Sequence, residues 1–297
     1  MSVAAPVPKP VGPSLKVVYK SSTKPTWCPG CGDYGVVAGV ERALQTLQVP
    51  PHEVVIVSGI GCSSNLPHFL STYGFHSIHG RAIPVAEGIK LANHRLHVIV
   101  TGGDGDGYGI GLGHLIHAMR RNLDITYVVM NNEIYGLTTG QASPTSVMGH
   151  KTKSTPQGVI EEPVNPVALA LSAGATYVAR GFSGDVKLLS DLVAGGIQHK
   201  GFALVDVFSP CVTYNHLNTF DFFRQRVYRL DSAQHDPTDL QKAYQKAHEW
   251  GTKIPIGLFY RAEKPTYEDL EEVLKEGPLA HQKAGIRGRT EILDEFV

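Results

Sequence analysis

The chain has 297 residues, is 42% hydrophobic and carries 27 Lys and Arg against 27 Asp and Glu, enough apolar material for one large α/β core and no net charge to attract nucleic acid or an anionic membrane surface. No apolar run approaches the roughly 20 residues of a membrane span, and the proline-rich start MSVAAPVPKPVGPSLK lacks the apolar core of a signal peptide, so a cytoplasmic location is the expectation. Four cysteines in so long a chain are too few for a disulfide scaffold.

Residues 1–25 hold prolines at 6, 8, 10, 13 and 25; proline neither donates a ladder hydrogen bond nor continues a helix, so an extended arm is expected, suited to lying along a partner. The body of the chain, residues 26–261, alternates short Val/Ile-rich runs with helical stretches. EVVIVSGIG (53–61), HVIVTGGDG (97–105), ITYVVMNN (125–132) and FALVDVFS (202–209) are apolar runs ended by Gly, Asn or Ser, as buried parallel strands are. GVVAGVERALQTL (35–47) has helical apolar spacing. The alternation predicts a doubly wound, mostly parallel α/β sheet. From 262 to 297 the chain turns polar, and EKPTYEDLEEVLKEG reads as a surface helix followed by a tail, with docking on another subunit as the functional reading.

Gly103 to Asn132 is the most informative span: a strand ends in Gly103-Asp104-Gly105, a glycine-rich turn leads to a helix around Leu112–Arg121, and the next strand ends in Asn131-Asn132. A right-handed βαβ crossover brings both strand ends to one sheet edge, so Asp104 and Asn132 can meet there. Glycines let amides approach an anion, and a carboxylate, an amide oxygen and a carbonyl suit a hard cation that also binds phosphate oxygens. A glycine-rich turn by itself fits dinucleotide binding or a mere tight turn equally well.

The Gly-Asp-Gly start and Asn-Asn finish resemble the thiamine diphosphate motif. The resemblance implies Asp104, Asn132 and the Ile134 carbonyl as Mg2+ ligands, with Gly103, Gly105, Asp106, Gly136, Leu137 and Thr138 at the diphosphate. Gly-Asp-Gly occurs twice, at 103–105 and 105–107, so Asp106 competes with Asp104 for the metal, and the glycines at 109, 111 and 113 favour Asp104.

Cys28 and Cys31 form a C-x2-C pair in WCPGCGDYG, whereas Cys62 and Cys211 each follow a predicted strand. Strand-terminal positions can converge, and four thiolates suit zinc or an iron-sulfur cluster. Buried inert thiols are the bland alternative. One knuckle and two scattered cysteines match poorly with the paired knuckles of structural zinc sites.

WCPGCGDYG, GIGCSSNLP (59–67), HGRAIPVAEGIK (79–90), GDGDGYGIG (103–111), NNEIYGLTTGQASPTS (131–146) and SPC (209–211) together resemble the beta subunits of the 2-oxoacid:ferredoxin oxidoreductases across roughly residues 15–260. This resemblance implies a [4Fe-4S] cluster on Cys28, Cys31, Cys62 and Cys211. It also implies thiamine diphosphate at the boundary with an alpha subunit that supplies the activating glutamate, a role not carried over to Glu87. The implied reaction is oxidative decarboxylation of a 2-oxoacid with coenzyme A to an acyl-CoA, electrons leaving singly to ferredoxin, and CO2 fixation in reverse. The first expectation for the acid is 2-oxoglutarate, with pyruvate or a broad range as the alternative, in a heterotetramer of two alpha and two beta chains. His79 is the candidate catalytic side chain and Arg81 a structural or phosphate-compensating one. His114 and His117 are read as helix-face residues rather than a metal pair. Thr139 stands where some relatives have lysine. A non-oxidative thiamine lyase with structural cysteines and a zinc-stabilised binding subunit are the rival readings.

Overall fold

The computed structural model describes residues 17–282, so most of the expected arm and the end of the expected tail lie outside the described residues. Eight strands form one sheet in the order β2-β1-β3-β4-β6-β5-β8-β7. They are β1 (Val54–Ser58), β2 (Tyr73–His76), β3 (His97–Gly103), β4 (Ile125–Asn131), β5 (Tyr177–Phe182), β6 (Ala203–Phe208), β7 (Val227–Arg229) and β8 (Ile254–Arg261). All neighbours run parallel except β5 and β8, the mostly parallel arrangement expected from the alternating pattern. Four of the strands are the four apolar runs read from the sequence.

Alternation along these strands divides the core between two faces. Val54, Ile56, Ile99, Val128 and Val205 join the apolar sides of α1 (Asp33–Leu47) and the helix Val186–Gln198. Val55, Val57, Val98, Val100 and Val129 face the other way, into the helices Ala82–Ala92, Leu112–Arg121 and Pro166–Ser172. Helices on both faces bury the central strands completely, which is why those runs are mostly apolar on both faces rather than at alternate positions.

The central neighbours β1, β3, β4 and β6 are parallel, so their C-terminal ends share one edge, where ligand crevices of open α/β sheets form. Cys62, Asp104, Asn132 and Cys211 follow those four strands. The start of the described chain lies against this body: Tyr19 is fully buried with its hydroxyl donating to the Val49 carbonyl at 2.5 Å, and Lys20 pairs with Leu70. Toward the other end, Thr266 caps a single helical turn, Tyr267–Leu270, followed by a 3-10 turn, Glu272–Glu276. The Glu268 carboxylate accepts from the Asp124 amide at 3.1 Å.

Candidate functional site

Two adjoining pockets occupy that sheet edge. One is lined by Cys62, Ser63, His79, Gly103, Asp104, Gly105, Asp106, Asn132 and residues 134–138. The other takes in Trp27, Cys28, Cys31, Cys62, Asn132, Gly136, Leu137 and Cys211. Cys62, Asn132, Gly136 and Leu137 form the wall between them. A Cβ on Gly136 would sit 3.5 Å from the Cys211 sulfur and 3.8 Å from that of Cys62. The thiols and the acidic corner are thus separated by little more than the thickness of one backbone.

Three contacts, each spanning a long stretch of sequence, assemble the thiol pocket. Trp27 Nε1 donates to the Cys62 carbonyl at 2.7 Å, the Gly32 amide donates to the Pro210 carbonyl at 3.1 Å, and Ser209 Oγ donates to Asp33 Oδ1 at 2.6 Å. Gly30 turns the C-x2-C loop at φ +83°, and the Cys31 amide closes it onto the Cys28 carbonyl at 3.0 Å. Gly32 must be glycine, because a Cβ would lie 2.6 Å from the Ser209 backbone. All four cysteines are free thiols. Burial, with the nearby Asp33 carboxylate and neighbouring thiols adding to it, raises the Cys31 thiol and pushes that of Cys62 up to about 12. Among the described residues, no three His, Cys, Asp or Glu side chains are gathered around a single ion position. One zinc needs all its sulfurs about 2.3 Å from one point, whereas a four-iron cluster gives each thiolate its own iron and spreads the quartet wider.

In the acidic corner the two aspartates have different surroundings. Asp106 Oδ1 accepts from the Ile60 amide at 3.0 Å and the Gly80 amide at 2.8 Å. His79 Nδ1 lies 2.9 Å from the same oxygen, misaligned for a hydrogen bond. Asp106 therefore ties together the loops after β1 and before the helix Ala82–Ala92. Asp104 is also buried; its Oδ2 accepts from Thr145 Oγ1 at 2.7 Å and its Oδ1 from the Asn132 amide at a long 3.4 Å, with the Ser143 hydroxyl and its own backbone amide adding to these. Burial raises its pKa against these hydrogen bonds, which is the environment of a carboxylate that gains from a cation. Asn132 Oδ1 accepts from the Ile134 amide at 3.1 Å, and Asn215 Nδ2 donates to the Asn132 carbonyl at 3.0 Å. Both interactions fix the turn after β4.

The chain leaves Asp104 through a π-helical turn, Gly105–Ile110, a form that recurs at functional sites. Gly105 has a packing reason beyond admitting an anion: a Cβ there would lie 2.0 Å from the Tyr135 ring, whose hydroxyl donates to the Gly105 carbonyl at 3.2 Å. His79 is partly exposed beside this ring. Arg81 contacts His114, and Glu87 pairs with Arg121 at 3.2 Å. At the lip, Thr139 takes a left-handed backbone, φ +74°, and Lys153 Nζ donates to its hydroxyl at 3.2 Å.

Sequence reasoning did not single out the support of the corner. Thr145 Oγ1 lies 2.7 Å from Asp104 and 2.9 Å from Asn131 Oδ1; Asn131 Nδ2 donates to Asp206 Oδ1 at 3.2 Å, as does the Tyr108 hydroxyl at 2.9 Å. Arg180, 2% exposed, faces Asp206 at 3.4 Å. The signal available was the run Ser143-Pro144-Thr145-Ser146, three hydroxyls at the end of the stretch that begins with the Asn-Asn pair.

Residues 58–207 match the family described as thiamine pyrophosphate enzyme, C-terminal TPP binding domain, and residues 211–276 match the family of the C-terminal part of the pyruvate ferredoxin oxidoreductase beta chain. The chain is 48% identical over 262 residues to 2-oxoacid:ferredoxin oxidoreductase 1, subunit beta, of Aeropyrum pernix, covering 84% of this chain and 82% of that one. It is 38% identical over 265 residues to 2-oxoglutarate synthase subunit KorB of Methanocaldococcus jannaschii, covering 89% and 97%. It also superposes with a TM-score of 0.86 and 43% identity on a solved 2-oxoglutarate:ferredoxin oxidoreductase from Magnetococcus marinus with 2-oxoglutarate, coenzyme A and succinyl-CoA bound, covering 93% of this chain and 94% of that one.

Proposed function

The chain belongs to the beta subunits of the 2-oxoacid:ferredoxin oxidoreductases, and on that premise we propose that it forms the thiamine diphosphate and [4Fe-4S] half of an enzyme that oxidatively decarboxylates 2-oxoglutarate with coenzyme A. The observation that carries the reading is the shared wall: residues suited to a metal diphosphate and four thiols lie on opposite sides of Cys62, Asn132, Gly136 and Leu137. A reaction that must release two electrons one at a time needs its relay at such a distance.

Asp104, Asn132 and the Ile134 carbonyl would hold Mg2+, and the backbone around Gly105 and Gly136 to Thr138 the diphosphate. Asp104 fits the role because it is buried in the pocket lining and its Oδ1 keeps a long, 3.4 Å contact to the Asn132 amide; Asp106 Oδ1 already accepts from two amides at 3.0 and 2.8 Å. Cys28, Cys31, Cys62 and Cys211 would hold the cluster. Thiamine diphosphate supplies, when bound, the carbanion that adds to a 2-oxo group and accepts the electrons left as CO2 departs, and the cluster removes those electrons singly. This chain's part is to fix and shield. The Gly136 backbone keeps the thiols next to the cofactor pocket, Tyr135 packs against Gly105 to shape its floor, and His79 presents its imidazole at the rim beside Asp106. Lys153, carried to the lip by Thr139, offers a positive charge suited to the second carboxylate of a dicarboxylic 2-oxoacid, which supports 2-oxoglutarate over pyruvate.

No glutamate lines the cofactor pocket among the described residues, and Glu87 is engaged by Arg121, so the residue that activates the cofactor comes from an alpha subunit. Two such heterodimers pair in the assembled enzyme. The deciding experiment is anaerobic co-production with the partner chain, metal and sulfide analysis, and ferredoxin reduction with coenzyme A across a panel of 2-oxoacids. The expected result is iron with acid-labile sulfide and fastest reduction with 2-oxoglutarate, and Cys211→Ser loses both iron and electron transfer. Zinc without iron, or decarboxylation without ferredoxin reduction, would overturn the reading.

A further inference from the structure

The loop 143–146 grips both halves of the acidic corner. Ser143 and Ser146 close it on themselves, the Ser143 amide donating to Ser146 Oγ at 2.8 Å and the Ser146 amide to the Ser143 carbonyl at 3.1 Å. From this closed turn two hydroxyls reach out in different directions. Ser146 Oγ donates to the Glu133 carbonyl at 2.6 Å, next to Asn132, and Thr145 Oγ1 reaches Asp104 Oδ2 at 2.7 Å, at the end of β3. One rigid turn thereby sets the spacing between the two strand ends.

Thr145 has one hydroxyl proton and three oxygens within reach, Asp104 Oδ2, Asn131 Oδ1 and, at a longer 3.4 Å, Ser143 Oγ. The charged oxygen is the strongest acceptor and the nearest one. Asn131 is itself oriented by its donation to Asp206, so its oxygen stays turned toward Thr145 and leaves that hydroxyl little rotational freedom. All of these side chains are buried, where a fixed hydrogen bond is stronger than in water. With Oδ2 held at 2.7 Å by the hydroxyl, Oδ1 makes a longer contact, 3.4 Å, to the Asn132 amide and is the less tightly held of the two oxygens.

We propose that Thr145 is a positioning residue for the metal of the cofactor: its hydroxyl holds Asp104 Oδ2 and reserves Oδ1 for the ion. The inference rests on the reading of Asp104 as a metal ligand. Groups that orient a ligand in this way contribute about 10- to 100-fold to metal affinity.

The test uses the complex of this chain with its partner, stripped of thiamine diphosphate and metal, with retained thiamine diphosphate measured by equilibrium dialysis over a Mg2+ titration. Thr145→Val and Thr145→Ala are expected to raise the half-saturating Mg2+ concentration about 10- to 100-fold while retention recovers at saturating Mg2+. Thr145→Ser, which keeps the hydroxyl, stays close to wild type, and Asp104→Asn loses Mg2+-dependent retention altogether. A purely structural role for Thr145 would lower the melting temperature of the stripped complex without moving the Mg2+ midpoint. If Asp104→Asn abolishes the dependence while Thr145→Val and Thr145→Ala keep the wild-type midpoint, the positioning role is wrong. If Asp104→Asn keeps it, the ligand assignment itself is wrong.

Discussion

Replacing Arg180 by methionine removes one half of a buried charge pair while keeping an unbranched apolar side chain among the rings of Phe208 and Phe259, which lie 5.2 and 5.4 Å from the guanidinium. Asp206 is fully buried; its Oδ1 keeps the Tyr108 and Asn131 donors, but its Oδ2 has no hydrogen-bond partner and faces only Arg180 at 3.4 Å. At that separation an effective dielectric of about 20 gives an attraction of about 5 kcal/mol, and stranding one member of such a pair costs about 3–5 kcal/mol. Arg180→Met and Asp206→Asn are each expected to lose about 3–5 kcal/mol in denaturant unfolding, and the double variant less than their sum by about 3 kcal/mol, since it removes both members of the pair together. The acid limb gives a second readout. Burial already raises the Asp206 carboxyl, and Arg180 is the chief influence lowering it. Without Arg180 the folded pKa rises further above its unfolded value, so the protonated form is the better tolerated one and the Arg180→Met deficit shrinks as pH falls. Additive single losses together with a deficit that does not change with pH would refute this account of the pair.

Two other perturbations probe the pockets. Gly105→Ala places a Cβ 2.0 Å from the Tyr135 ring, so the ring must leave, and thiamine diphosphate retained after gel filtration should fall to background. Gly113→Ala, with nothing within 4 Å, is the control that keeps it. In the metal-free chain the Cys62 thiol, pushed up to about 12 by burial and then by Asp33, is protonated at pH 8, so iodoacetamide labelling followed by peptide mass spectrometry should be slow there and accelerate as pH rises. Asp33→Asn should speed it; labelling of Cys62 at neutral pH as fast as a free cysteine would contradict the burial argument.

The strands legible in the sequence are those buried on both faces: β1, β3, β4 and β6 are mostly apolar, with Asp206 the one charged residue among them, and the Gly, Asn and Ser at or just past their ends mark where the chain leaves the sheet. β2 was not legible because Tyr73, Gly74, Phe75 and His76 are exposed at the sheet edge, and β5 because Arg180 and Gly181 interrupt its apolar run. β8 carries Pro255 and Gly257 and is held by antiparallel pairing to β5, a tertiary condition no local pattern encodes. Of the site, the positions directly after strands, Cys62, Asp104, Asn132 and Cys211, followed from topology, whereas Thr145, Asn215 and Trp27 did not. Their contacts join residues 41, 83 and 35 positions apart, and hydroxyl, amide and indole donors in loops have no periodicity to betray them.

The common wall between the pockets bears on how this catalyst can be altered. A substitution at Asn132, Gly136 or Leu137 made to reshape the pocket on one side also alters the wall of the thiol pocket on the other, so the two pockets are not independent variables at those positions. Diversification of the accepted acid is therefore better directed to the lip, where Lys153 donates to the Thr139 hydroxyl, and libraries confined to those two positions should yield new substrate preferences while leaving the wall and the loop 143–146 unchanged.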